Sequence, residues 1–109
     1  MRVVITGATG NCGTALIKKL AVDPRITSIV GIARRVPQWQ PAKTAWRSID
    51  VGTGDLSHAF EGADVAVHLA WQMQPSHDLR QLLQTNVQGS RRVFEAAGVA
   101  GVSALVYAS

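Results

Sequence analysis

Three glycines, Gly7, Gly10 and Gly13, follow the apolar run Val3-Val4-Ile5 in the opening Met1-Arg-Val-Val-Ile-Thr-Gly-Ala-Thr-Gly-Asn-Cys-Gly13, and a helical pattern begins directly behind them. Residues of this type in this order can hold an anion. A tight turn at the carboxyl end of a buried strand delivers the chain to a helix N-terminus. There the unpaired backbone N–H groups and the positive end of the helix dipole suit a phosphate. Gly7 permits the turn, Gly10 lets a ligand approach the backbone closely, and Gly13 lets the helix pack against the strand. A dinucleotide is the ligand that this strand–turn–helix order serves.

The elements that must position such a turn alternate between strand and helix, the pattern of a parallel sheet with helical crossovers. Arg2 to Thr6 reads as the first strand. A helix follows from Asn11 to Val22, with Leu16, Ile17 and Leu20 on one face, and Asp23-Pro24 stops it. Ile26 to Ala33 contains a second strand. Arg34 to Pro41 has two prolines and no helical period, so it reads as a loop, although parallel crossovers usually take about 10 or more residues. Ala45 to Val51 reads as a third strand with Asp50 at its end. Asp55 caps a short helix to Phe60 that Gly62 ends. Asp64 to Ala70 is the fourth strand. The longest helix runs from just after Pro75-Ser76 to Ala97 or Ala100 on the period of Leu79, Leu82, Leu83, Val87, Val93 and Phe94, and Gly101 stops it. Ala104 to Ala108 is a fifth strand. A buried parallel strand needs cover on both faces, so the expectation is that residues 1–109 are the amino-terminal portion of a longer protein, truncated after that strand.

Composition fits one such domain. Apolar residues make up 47% and charged residues 17% of the chain, which suits an α/β domain with a buried sheet. No basic, apolar leader precedes the first strand, and no apolar run reaches the roughly 18 residues of a membrane span, so no membrane partner is expected. A single cysteine excludes an internal disulfide and points to the cytoplasm. The net charge of +4 is modest, and the basic pairs Lys18-Lys19, Arg34-Arg35 and Arg91-Arg92 have no aromatic residues between them, so nucleic acid is not expected either. His58, His68 and His77 lack metal-ligand spacing, so no metal is assigned.

The segments TGATGNCG (Thr6 to Gly13), Asp50-Val51, AVHLAW (Ala66 to Trp71), TNVQGSRRVFEAA (Thr85 to Ala97) and LVYAS (Leu105 to Ser109) resemble, in this order and over essentially the whole chain, the extended short-chain dehydrogenase/reductase family, the NAD(P)-dependent epimerase/dehydratase group. The resemblance implies an α/β, Rossmann-type doubly wound parallel sheet of strand order 3-2-1-4-5, with the cofactor across the carboxyl ends of the strands. It implies that Gly7, Thr9, Gly10, Asn11 and Cys12 line the pyrophosphate, with Gly13 packed behind them. Asp50 and Val51 match the family's adenine-contacting pair. Leu69, Ala70 and Trp71 match the segment under the ribose and nicotinamide, and Asn86 matches an asparagine that steadies the central helix against the fourth strand. At Cys12 the family usually has an apolar residue, so a small buried thiol is expected rather than a reactive one.

An NAD enzyme of this type places Asp or Glu after the second strand to bind the ribose 2′-hydroxyl. This chain has Ala33-Arg34-Arg35 instead. A guanidinium binds a 2′-phosphate in a fork, so NADP is favoured over NAD, with Arg34 the main contact and Arg35 the second. Catalysis in the family uses a Ser beyond the fifth strand and a Tyr-x-x-x-Lys. Ser109 lies at or just before that serine, whereas Tyr107, the only tyrosine, sits inside the fifth strand and has no lysine four residues on. It is read as packing. The expected function is hydride transfer at a hydroxyl or carbonyl carbon of a small-molecule substrate, by an oxidoreductase or a sugar-nucleotide epimerase/dehydratase, with homodimerisation left open. The alternative is a non-catalytic dinucleotide-sensing regulator of the same fold.

Overall fold

The computed structural model describes residues 1–52, 54–69 and 79–107, with the side chains of 79–86 excepted. Among them, β1 (Arg2–Thr6), β2 (Ser28–Ala33), β3 (Thr44–Ser48), β4 (Val65–His68) and β5 (Ala104–Tyr107) form one parallel sheet in the order β3-β2-β1-β4-β5. The helices are α1 (Asn11–Ala21), α2 (Ser57–Phe60) and α3 (Leu79–Ala100). The doubly wound topology and its strand order are those expected from the sequence.

Side chains alternate across the sheet and bury both of its faces, which is why the central strands read as continuous apolar runs. Val3, Ile5, Ile29 and Val67 point to the α1 side and meet Ile17 and Ala8. Val4, Val30, Ile32 and Ala66 point to the other side, where Phe60 and Ala59 of α2 and Val93 and Ala97 of α3 cover them. The β2–β3 connection contains no helix. Its place on the α1 face is taken by Trp39 and Trp46, which pack against the Val3–Ile5 cluster. Trp46 Nε1 donates to Trp39 O at 2.9 Å, so the indole N–H is satisfied as its ring is covered. The ring lies so close over Gly31 that a Cβ there would come within 2.6 Å of it.

Two local expectations change. The third strand stops at Ser48, short of Asp50. Asp50 folds back on its own loop instead: its Oδ1 accepts from Gly52 N at 2.9 Å and its carbonyl accepts from Gly54 N at 2.7 Å, a local turn that competes with the sheet ladder. The second change concerns β5, whose described side chains are exposed, with Tyr107 at 42%. Tyr107 is a partial packer: it stacks on His68 at 5.5 Å between ring centroids while its outer part faces solvent.

Candidate functional site

The glycine turn is built as its sequence implies. Gly7 has φ of +67°, a backbone region that side chains with a Cβ seldom enter. Gly10 then runs extended (φ −73°, ψ 174°) into the N-cap position of α1, with no side chain capping the helix. The first helical hydrogen bond is Thr14 N to Gly10 O at 2.9 Å, so the N–H groups of Asn11, Cys12 and Gly13 precede the ladder. The first turn of α1 holds no acidic residue, and Lys18 and Lys19 occupy its last turn. No carboxylate of the helix itself offsets the positive end of its dipole.

Thr9, Gly10, Asn11 and Cys12 are exposed on this turn, Gly7 is half-buried and Gly13 is buried. The thiol of Cys12 therefore departs from the expectation of a small buried group. Gly13 and Ile17, four residues apart, form the face of α1 that meets the sheet, and Cys12 lies off that face.

The strand register brings the other expected residues to the same edge. Thr6 stands opposite Ile32 of β2 and His68 of β4, and Ala33 stands opposite Ser48 of β3. Each parallel strand thus ends level with the glycine turn. Ala8 N donates to Ile32 O, Ile49 N to Ala33 O and Leu69 N to Thr6 O, at 3.3, 3.0 and 3.1 Å, which extends the ladder past the ends of β1, β3 and β4. Arg34 and Arg35 leave β2 exposed, with the Arg34 carbonyl held by Ser48 Oγ at 2.9 Å. Asp50 is also exposed, while Val51 and Leu69 are half-buried. From the β3 end to the β4 end is three strand spacings, about 14 Å, a span that an extended dinucleotide covers and a lone phosphate does not. Ala70, Trp71 and Ser109 lie outside the described residues, as does the side chain of Asn86.

A buried polar chain behind this edge was not foreseen from the sequence. Thr6 Oγ1 and His68 Nδ1 are 2.6 Å apart, His68 Nε2 and Ser90 Oγ are 3.0 Å apart, and Leu69 N donates to Thr6 Oγ1 at 3.0 Å. It links β1, β4 and α3 immediately below the glycine turn. A neutral imidazole has one donor and one acceptor nitrogen, which two hydroxyls can match in either tautomer. Desolvation of the buried ring holds the His68 pKa below its ordinary value, so the neutral form is the resident one. Phe94 meets His68 edge-on at 6.0 Å. Ser90 thus ties α3 to β4, and the side chain of Asn86, which the family resemblance assigns to such a tie, lies outside the described residues. The available signal was a polar pair, Thr6 and His68, at matched positions of two otherwise apolar strands.

Arg92, read from the sequence only as one of a basic pair, was missed as well. Its Nε donates to Val51 O at 2.9 Å and its Nη2 donates to Gly54 O, so α3 grips the loop that carries Asp50.

Residues 3–109 match the model of the NAD dependent epimerase/dehydratase family. Among curated relatives, an L-arabinose 1-dehydrogenase (NAD(P)(+)) of Haloferax volcanii is 35% identical over 99% of this chain and 40% of its own length. A ceramide reductase of Caulobacter vibrioides is 33% identical over 98% of this chain and 34% of its own. The chain therefore spans well under half of these relatives. Among solved structures, a short-chain dehydrogenase/reductase superfamily protein of Agrobacterium tumefaciens with bound NAD superposes with a TM-score of 0.83 at 29% identity, covering all of this chain and 32% of that one. With the fold, the glycine turn and the family model in agreement over nearly every residue, the chain belongs to the NAD dependent epimerase/dehydratase family.

Proposed function

We propose that residues 1–109 are the dinucleotide-binding part of an NADP(H)-dependent oxidoreductase or epimerase/dehydratase that acts at a hydroxyl or carbonyl carbon of a small molecule. The observation that carries the reading is the glycine turn at an uncapped helix N-terminus. Among the described residues, a Cβ on Gly10 would meet nothing nearer than Gly7 O at 3.5 Å, so packing among them does not require glycine there. The space it would fill lies against the free N–H groups of α1, which is where a pyrophosphate fits. In this reading Gly7, Thr9, Gly10, Asn11, Cys12 and Gly13 form the pyrophosphate cradle. Asp50 and Val51 take the adenine, and Leu69, Ala70 and Trp71 pass under the nicotinamide half.

When bound, the dinucleotide supplies the hydride donor or acceptor. Ser109 is assigned to the proton-transfer side, where it would hold the substrate oxygen by its hydroxyl. The two curated relatives above are a dehydrogenase and a reductase by name, which favours turnover over mere sensing. Those names concern chemically different substrates, so the reading stops at the reacting group. A cytoplasmic homodimer completes the proposal, the cytoplasm because a chain with one cysteine suits a reducing compartment.

The preference for NADP rests on Arg34 and Arg35, exposed at the carboxyl end of β2 where an NAD enzyme would carry a carboxylate. Titrating NADP and NAD into the full encoded protein tests it. Wild type is expected to bind NADP more tightly. Arg34→Asp is expected to lower the NADP/NAD affinity ratio by about 10- to 100-fold, the worth of a charge-assisted hydrogen bond. An unchanged ratio would sink the assignment.

A further inference from the structure

We propose that Arg92 is a positioning residue for adenine recognition: from α3 it sets the Asp50–Gly54 loop so that the Asp50 carboxylate and the Val51 side chain present a defined edge to the base. This deepens the reading above and rests on it.

The two arginines of the pair Arg91-Arg92 do different things. Arg91 Nε donates to Glu95 one turn on, at 3.1 Å, as an exposed helix-surface ion pair. Arg92 instead points at the loop and bonds two backbone carbonyls, Val51 O and Gly54 O, that bracket its turn. The loop closes on itself through the Asp50 carboxylate to Gly52 N and the Asp50 carbonyl to Gly54 N. Arg92 therefore holds both ends of a turn whose interior is already tied by Asp50. A planar fork of donors fixes distance and angle together, which a single ammonium on a flexible stem does not.

The helix is shaped for this contact. Gly89 lies three residues before Arg92, on the same face, and is buried. A Cβ there would come within 3.1 Å of Val51 Cγ2. Glycine inside a helix costs about 1 kcal/mol against alanine. Here it leaves a bare patch on which Val51 seats while Arg92 takes the Val51 carbonyl. One end of Val51 is thus located by packing and the other by a hydrogen bond. The Asp50 side chain, one residue earlier, is exposed two residues beyond Ser48, which stands opposite the end of β2.

The distinguishing test is base discrimination. A carboxylate that accepts from the exocyclic amine of adenine prefers adenine to hypoxanthine, where that amine is replaced by a carbonyl oxygen. Dissociation constants for NADP and its hypoxanthine analogue are measured by calorimetry on the full encoded protein as wild type, Asp50→Asn, Arg92→Lys and Arg92→Met. Wild type is expected to prefer adenine by about tenfold, the worth of one hydrogen bond to a charged group. Arg92→Met is expected to lose most of that preference by weakening NADP binding, with the analogue changed less than about threefold. Arg92→Lys falls between. Equal weakening of both ligands, or an unchanged ratio in Arg92→Met, overturns the proposal. If the Met variant does not fold, Arg92→Lys decides, and a wild-type ratio in that variant overturns it. Failure of wild type to bind either dinucleotide would defeat the functional reading itself, an outcome separate from tight binding without an Arg92 effect.

Discussion

Gly13→Ala is expected to destabilise the protein and weaken dinucleotide binding together, whereas Gly98→Ala, in α3, is expected to stabilise it. Intrinsic propensity favours alanine in both helices by about 1 kcal/mol. The surroundings decide the sign. A Cβ at Gly13 would lie 2.5 Å from Gly7 O and 2.7 Å from both Ala8 Cα and Ala8 O. All three are backbone atoms of the glycine turn, so no rotamer change relieves the collision, and α1 must back away from the turn it is meant to close. Overpacking of this kind costs about 1–3 kcal/mol, which exceeds the propensity gain. Retreat of α1 also moves its free N–H groups away from the position proposed for the phosphate. At Gly98 a Cβ meets nothing within 4 Å among the described residues, so the propensity term stands alone. Thermal unfolding of the two variants checks this. At roughly 4–8 °C per kcal/mol for a domain of this size, Gly98→Ala should raise the midpoint by a few degrees and Gly13→Ala should lower it. A Gly13→Ala protein as stable as wild type would contradict the packing seen here.

The second large effect is the pH dependence carried by His68. Its folded pKa lies below its ordinary value because desolvation disfavours the imidazolium. The unfolded chain therefore binds a proton before the folded one does as pH falls. The contribution of His68 is fully present above about pH 6.5 and is lost progressively as pH drops from there toward the lower folded value, at up to about 1.4 kcal/mol per pH unit. Below the folded pKa it levels off. Among the described residues, the groups facing the ring from the packed elements are the hydroxyls of Thr6 of β1 and Ser90 of α3 and the rings of Phe94 of α3 and Tyr107 of β5, with no acidic or basic side chain among them. Denaturant unfolding at pH 8, 7, 6 and 5 should show wild-type stability falling more steeply below pH 6.5 than that of His68→Asn. Parallel curves would show that the buried ring titrates normally. At pH 8 the Asn variant should still be weaker by about 1–3 kcal/mol, since it cannot span both Thr6 and Ser90 and leaves one hydroxyl of the chain unmatched.

Most of the fold was legible in the residues because its signals are local. Val3-Val4-Ile5 followed by Gly7, Gly10 and Gly13 defines a strand, a turn and a helix start without reference to the remainder of the chain. The helical period of α3 and the alternation in Asp64 to His68 are equally self-contained. The third strand was misjudged at its end because Ile49-Asp50-Val51 suits a strand by type, yet Asp50 can bond its own backbone two residues on. Cys12 was misplaced because its burial depends on which face of α1 meets the sheet. Gly13 and Ile17 set that face by packing.

By itself, then, the sequence determined the alternation of elements, the glycine turn, the strand order through its family resemblance, and the absence of a carboxylate after β2. These follow from residue type and near-neighbour spacing, which hydrophobic period and backbone freedom translate directly into structure. The tertiary structure alone decided that Thr6, His68 and Ser90 form one buried chain and that Arg92 grips the Asp50 loop. Thr6 is 62 residues from His68, and Arg92 is 41 from Val51. Contacts at such separation leave no periodic trace. A buried polar group must find a partner wherever packing brings one, and only the folded arrangement says which partner that is.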